Sequence, residues 1–401
     1  MENNEYYKFG YDNLGPLLYG FSHWLQQQLK ERDISKVYFF SRDGLIMKKA
    51  FEIIDENQTK SFYLEVSRRS LRVPTLSMDF TVEDLLTMIS PSNMVSLSSI
   101  FDIIGLDINH YTDLLRKIGF NEKDEISRKA FLQNQKILTL IQEIRNDIRK
   151  NSKEEYDLLV EYIRQNQIVG KFAIVDIGWS GGMQRFLDKT LDSLKIKHNI
   201  SGFYTGIADY YKRNIQSKEL DLNGYLFDFS HNPKDTDCRS GFVGLYEMLF
   251  LETKGSVKRY RRDETGRIIA ERFPYEYNVQ GTMMPEVNKI ITLQQGALDY
   301  VKYGKENNIT LTSKEARKHL VFAGNSPSLK NIKLFSDFLF YDEGVYTKLA
   351  APKSLLYYIF HWKQLKKDLY LSRWKVGFLK KLFKVPFPYL HLYQFLKTIQ
   401  K

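Results

Sequence analysis

The chain is predicted to be a three-layer α/β protein: a Rossmann-like parallel sheet with an inserted helical subdomain and a basic amphipathic helical tail. Three observations predict this. Short apolar runs, "KVYFF", "SFYLEV" and "KFAIVDI", each lead into a polar loop and, after the first and third, a helix-type pattern, the alternation that builds parallel sheets. Between the second and third runs, residues 81–168 are dominated by helix formers, too many for a simple crossover. The last fifty residues, 352–401, carry eleven Lys or Arg against one acid, Asp368.

Taken in order, Leu17, Leu18, Phe21, Trp24, Leu25 and Leu29 recur at helical spacing after Gly10, and so predict a helix packed on the sheet. Val37–Phe40 is a strand, and Ile46, Ala50, Ile53 and Ile54 mark the helix after it. Ser61–Val66 is a second strand. The region 1–80 is thus the first part of the sheet domain, and 81–168 a helical cap with helix starts at Thr81 and Ser152. Residues 169–275 return to the sheet through "KFAIVDIGWSGGMQRF", "ISGFYTGIA" and "LNGYLFD". They end in a hairpin, Gly255–Phe273, that turns at Asp263-Glu264-Thr265-Gly266. Residues 276–351 read as a helical C-terminal region.

Composition excludes several classes. With 43% hydrophobic and 27% charged residues the chain is globular. The polar opening Met1-Glu2-Asn3-Asn4 argues against a signal peptide. The longest apolar runs, such as Leu355–Phe360, fall far short of the ~20 residues that span a bilayer. One cysteine, Cys238, leaves no internal disulfide and no thiolate metal cluster. Net charge is +11, but ten of those charges belong to 352–401. The body is nearly neutral, so no nucleic-acid partner is expected.

Three loops carry residue types suited to phosphate. Ser41-Arg42-Asp43-Gly44 joins a strand to a helix, where free amides face anions. Gly44 permits close backbone approach, Arg42 can pair with phosphate, and Asp43 can take a proton or hold a cation. The plainer alternative is a turn with Asp43 as a helix cap. Next, Arg68, Arg69 and Arg72 crowd the end of the second strand, and arginine forks suit diphosphate; a solvated turn paired with acids such as Glu65 is the alternative. In the third, a strand delivers Asp176, and Ser180, Gly181, Gly182, Met183 and Gln184 open a helix as an amide cradle. It is neither a dinucleotide fingerprint, because its glycines are 178, 181 and 182, nor a Walker loop, because no Gly-Lys-Ser/Thr follows. Further on, Glu247 in "YEMLF" offers a carboxylate, although a core helix with one edge acid would account for it.

Four segments, Phe39–Gly44, Ser67–Arg72, Val175–Gln184 and Tyr246–Ser256, taken in order, resemble a family encoded in bacterial polysaccharide gene clusters. The resemblance spans about Tyr19 to Tyr260. Such proteins are often labelled haloacid-dehalogenase-like, and some are glycan phosphoribosyltransferases. The resemblance implies a sheet of phosphoribosyltransferase or dehalogenase type. It also implies transfer of ribofuranose 5-phosphate from phosphoribosyl diphosphate to a lipid-linked (undecaprenyl-type) glycan, on the cytoplasmic face of the cell membrane, with Mg2+ held by Asp43 and Asp176. Asp43, Asp176 and Glu247 would be the catalytic carboxylates. Ser41, Arg42, Gly44, Arg68, Arg69 and Arg72 would hold diphosphate, and Ser180–Gln184 the 5-phosphate.

The alternative within the resemblance is a dehalogenase-like sugar-phosphate phosphatase. That chemistry needs Asp-x-Asp-Gly-Thr, and here Ser41 stands at the nucleophile and Leu45 at the threonine; an aspartyl-phosphate route requires a carboxylate. The transferase pattern departs at one place, since Ile177 occupies the position of a second acid. A third reading is a non-catalytic, membrane-associated assembly factor. The tail suits a membrane partner in any of these. Leu355, Ile359, Trp362, Leu365 and Leu369 form one apolar face and Val376, Leu379, Leu382 and Phe383 another, each set among lysines. Residues 353–401 would then lie on an anionic surface, a helical hairpin docked on the core being the alternative.

Overall fold

A computed structural model describes residues 4–56, 59–89, 94–121, 124–215, 218–342 and 345–399. Its centre is a five-stranded, wholly parallel sheet of β1 (Lys36–Phe40), β2 (Lys60–Leu64), β3 (Gly170–Trp179), β4 (His198–Ile207) and β5 (Asp221–Asp228), in the order β2-β1-β3-β4-β5. The strands read as nearly unbroken apolar runs because helices cover both faces. Val37 and Phe39 enter one core with Ala173 and Val175, and Tyr38 and Phe40 enter the other with Phe172 and Ile174. Fully burying such a side chain contributes roughly 1.5–3 kcal/mol.

The first core is sealed by α1 (Gly15–Glu31), α2 (Gly44–Ile54) and the C-terminal helices. The second is sealed by α4 (Arg145–Gln165), α5 (Gly182–Ser193) and the hairpin of Val257–Arg262 with Ile268–Arg272. Between β2 and α4, the chain makes the short helix α3 (Arg68–Arg72) and then a helical insertion. The insertion has its own core, from Leu76 to Ile148. It also holds a small strand pair, Met94–Ser96 with Glu125–Ser127, which lies inside the run of helix formers and was not expected. The long helix α4 ties the two units together: Ile148 lies in the insertion core, while Leu159 and Ile163 pack under the sheet.

The last segment of the chain forms helices, Leu355–Phe360, Trp362–Leu371, Lys375–Phe383 and Tyr389–Ile399, and only part of it faces outward. Trp374, Val376, Phe378, Leu379 and Leu382 are buried in the first core, so of the second apolar face only Phe383 is exposed. Leu365 and Leu369 also pack partly against that core. Among the described residues, no helix is long and apolar enough to cross a membrane.

Candidate active site

The strand order fixes where a ligand would bind. The chain leaves β1 for β2 on one side and returns to β3 on the other, so the topological switch point lies between β1 and β3, at whose carboxyl ends open α/β sheets usually form their ligand crevice. Pairing of β1 with β3 stops at Phe39↔Val175. Asp176 is the next residue on β3, and Asp43 ends the loop after β1, immediately before α2.

These two aspartates lie near enough to act on each other. Burial is the main force on both carboxyls, and each feels a second carboxylate. Asp43 is pushed up to about 7 by burial; Arg42 and Arg68 oppose this, while Glu247 and Glu276 add to it. Asp176 is raised well above the usual range by burial and by Asp43, against the pull of the Ile177 and Gly178 N–H groups and of Arg68. Asp43 makes no capping bond to α2, which removes the plainer explanation for it. Ile177 packs in the core, and the acid that acts on Asp176 comes from a different loop, as Asp43.

Three further groups define the crevice. Arg68 opens α3 behind the capping residue Ser67, is exposed, and makes no hydrogen bond or ion pair with a described residue. Glu247, on α6 (Val243–Leu249), accepts a 2.9 Å bond from Trp179 Nε1 through Oε1, and Oε2 makes no hydrogen bond with a described residue. The glycine-rich loop closes the other side. Gly178 has φ +107°, and a Cβ there would meet the Gly206 carbonyl at 2.6 Å, so only glycine fits. Gly181 has φ +68° and no side chain caps α5, which leaves the first amides of that helix available. Gly182 is open, with only Ser180 Oγ near its Cβ position, at 4.0 Å. Ser180 Oγ accepts from Asn214 at 2.8 Å.

Several expected ligand contacts prove to be structural. Arg69 forks onto Glu155 with two 3.0 Å bonds and also reaches the Lys258 carbonyl, so it joins α3 to α4 and the hairpin. Arg72 donates to the Met88 carbonyl at 3.1 Å and pairs with Asp102 at 3.7 Å, holding the insertion. The three-arginine clamp thus reduces to Arg68. Glu65, the suggested partner of that turn, instead binds Arg272 at 2.6 Å. Ser41 Oγ donates to the Val66 carbonyl and accepts from the Val66 N–H at 2.7 and 3.1 Å, which fixes the loop to β2. Arg42 pairs with Glu276 at 2.5 Å. Gly44 is needed for packing, because a Cβ there would meet the Phe39 backbone at 2.9 Å. The side chain of Met183 packs against the second core. Gln184 is buried, donates to the Ile200 and Asp221 carbonyls, and accepts from Tyr204, so it cannot meet a phosphate.

No motif in the chain points to Arg239. It is buried and lies 3.3 Å above the Trp179 ring, with Nε 3.3 Å from Asp237. It thereby stiffens the tryptophan that holds Glu247. Its neighbours Asp237 and Cys238 form no motif, so only the fold could reveal this role. No protein-family model and no curated protein matches the chain.

Proposed function

We propose that the crevice binds a sugar 1-diphosphate and transfers the sugar, with ribofuranose 5-phosphate from phosphoribosyl diphosphate as the best-fitting donor and a lipid-linked surface glycan as acceptor. The observation that carries this reading is the pair of carboxyls at the topological switch point, Asp43 and Asp176, which act on each other and feel the charge of Arg68, itself without an ion pair among the described residues. No group of three His, Cys, Asp or Glu among the described residues could enclose a metal. Two carboxylates completed by substrate oxygens is, however, the usual arrangement for Mg2+, and a cation would relieve the repulsion within the pair. Asp43 and Asp176 would hold it, and it would neutralise charge growing on a diphosphate leaving group.

The protein's own groups would then do the following. Arg68 binds the diphosphate. The amides at the start of α5 hold the 5-phosphate. An acceptor hydroxyl attacks the anomeric carbon, the bond to diphosphate breaks, and its electron pair leaves with diphosphate. Glu247, oriented by Trp179, takes the hydroxyl proton. A dehalogenase-like phosphatase is disfavoured, because Ser41 sits where the nucleophile would be and its hydroxyl is engaged twice by Val66.

The tail supports work on a lipid-linked acceptor. Leu356, Ile359, Phe360 and Trp362 are 69%, 63%, 78% and 56% exposed, beside Lys353, Lys363, Lys366 and Lys367. That pairing of apolar and basic groups suits an anionic bilayer surface on the cytoplasmic side. To test the activity, the full chain is incubated with phosphoribosyl diphosphate, Mg2+ and lipid-linked glycan. The expected result is donor-dependent addition of pentose phosphate, abolished by Asp176→Asn. Release of inorganic phosphate from sugar phosphates instead, or turnover of neither, would reject the reading.

A further inference from the structure

The helix Lys375–Phe383 is anchored in the first core by Val376, Leu379 and Leu382, but the turn that follows it lies at the surface. Lys384 takes φ +59° and ends the helix, and Pro386 and Pro388 prevent it from resuming at once. Every residue from 383 to 388 is exposed. Among them are three large apolar side chains, Phe383, Val385 and Phe387, at 37%, 53% and 56%.

The turn is nevertheless firmly built. Phe383 and Phe387 lie against Tyr389, with ring centres 6.2 and 5.5 Å away, and Tyr389 itself is buried. The Val385 carbonyl accepts from the Tyr389 hydroxyl at 2.9 Å and from Lys380 Nζ at 3.1 Å. The Phe387 carbonyl accepts from the Tyr389 N–H at 2.8 Å, and the Pro388 carbonyl from the His391 and Leu392 N–H groups at 3.0 and 3.2 Å. The Lys384 N–H returns to the Lys380 carbonyl at 2.9 Å. The two prolines have no N–H to satisfy.

An ordinary surface loop leaves its backbone to water. This one shows apolar side chains and satisfies much of its backbone internally. A protein partner would usually form about one hydrogen bond per 100–200 Å2 of contact, and the turn has few groups left for that. A bilayer asks for the reverse, apolar side chains on a backbone already satisfied. Charge points the same way. Lys384 is exposed and makes no ion pair with a described residue. Asp368, the one acid in 352–401, already accepts from Tyr358 and Gln364. We propose that residues 383–388 are a membrane-inserting turn, in which Phe383, Val385 and Phe387 enter the acyl boundary of an anionic bilayer and Lys384 meets its headgroups. This contact is separate from the exposed set Leu356, Ile359, Phe360 and Trp362. It rests on the reading of the tail as a membrane contact, and not on the sugar chemistry.

The test uses the full chain and phosphatidylcholine vesicles with and without phosphatidylglycerol. Val385→Ser/Phe387→Ser is expected to keep the wild-type Tm and to bind the anionic vesicles about tenfold more weakly or worse. A second measurement places an environment-sensitive fluorophore at Phe387→Cys in a Cys238→Ser background. Its emission is expected to brighten and shift to the blue on anionic vesicles, and this decides the matter should the serine variant melt lower. Unchanged vesicle binding by Val385→Ser/Phe387→Ser, or unchanged emission from vesicle-bound labelled protein, would overturn the proposal. If Leu356→Ser/Phe360→Ser/Trp362→Ser still weakens binding in that case, the tail remains a membrane contact without this turn. Wild type that binds neither vesicle would remove both ideas. A dimer in sedimentation that Val385→Ser/Phe387→Ser dissociates, with no vesicle binding, would assign the turn to a second copy and also overturn the proposal. Insertion without sugar transfer would reject the function above and leave this contact standing.

Discussion

Replacing Asp43 by Asn tests whether the carboxyl pair is held against its own electrostatics. Asp43 rises from 3.8 to about 7, and at about 1.36 kcal/mol per pKa unit this corresponds to roughly 4 kcal/mol. The sign follows from linkage. The folded state holds the proton more tightly than the unfolded chain does, so folding loses stability as pH rises from about 4 to about 7. Above that window the full cost is present; below it the cost is gone. Asn keeps the shape without the charge, and it also relieves Asp176. At pH 8 without divalent cations, Asp43→Asn is expected to be more stable than wild type by about 2–4 kcal/mol, with the gain shrinking towards zero near pH 4. Urea unfolding followed by circular dichroism at both pH values measures this. Mg2+ should stabilise wild type more than the variant. A variant equally or less stable at pH 8 would refute the idea that the pair is strained.

Other predictions follow from the same geometry. Arg69→Ala leaves the buried Glu155 without its partner, so a loss of about 3–5 kcal/mol is expected; an unchanged Tm would show that Arg69 is not structural. Leu356→Ser/Phe360→Ser/Trp362→Ser should fold normally and no longer pellet with anionic vesicles, while wild type pellets with anionic but not zwitterionic ones. Equal pelleting of both proteins would remove the membrane partner. Trp374→Ala, in contrast, takes a fully buried indole out of the first core and should cost about 3–5 kcal/mol, read as a drop in Tm.

Much of the sheet was legible because its strands are buried on both faces. Val37–Phe40 and Phe172–Val175 are unbroken apolar runs, and each ends at a loop of marked composition. The turn at Asp263–Gly266 was equally legible, since Gly266 takes φ +81° between the paired strands. The loops at Asp43 and Asp176 could be placed by the same reasoning, but not their meeting. That depends on β3 pairing with β1 although more than a hundred residues separate β2 from β3, and no local pattern encodes it. The arginines misled for the same reason. Arg69 and its partner Glu155 are 86 positions apart, so a cluster that reads as a phosphate clamp in sequence mostly serves to fasten the insertion and hairpin. The tail shows the limit of periodicity: the two amphipathic faces look alike in sequence, yet Val376 and Leu379 are buried while Ile359 and Trp362 are exposed, because only the first pair packs into the first core.

The most direct test of the central claim is calorimetric titration of phosphoribosyl diphosphate into the full chain, with and without Mg2+, alongside Arg68→Gln and Asp176→Asn. Saturable one-site binding that requires Mg2+, weakens at least tenfold in Arg68→Gln and disappears in Asp176→Asn is the predicted result. Absence of binding in the wild type, or binding indifferent to Mg2+ and to both substitutions, would contradict it.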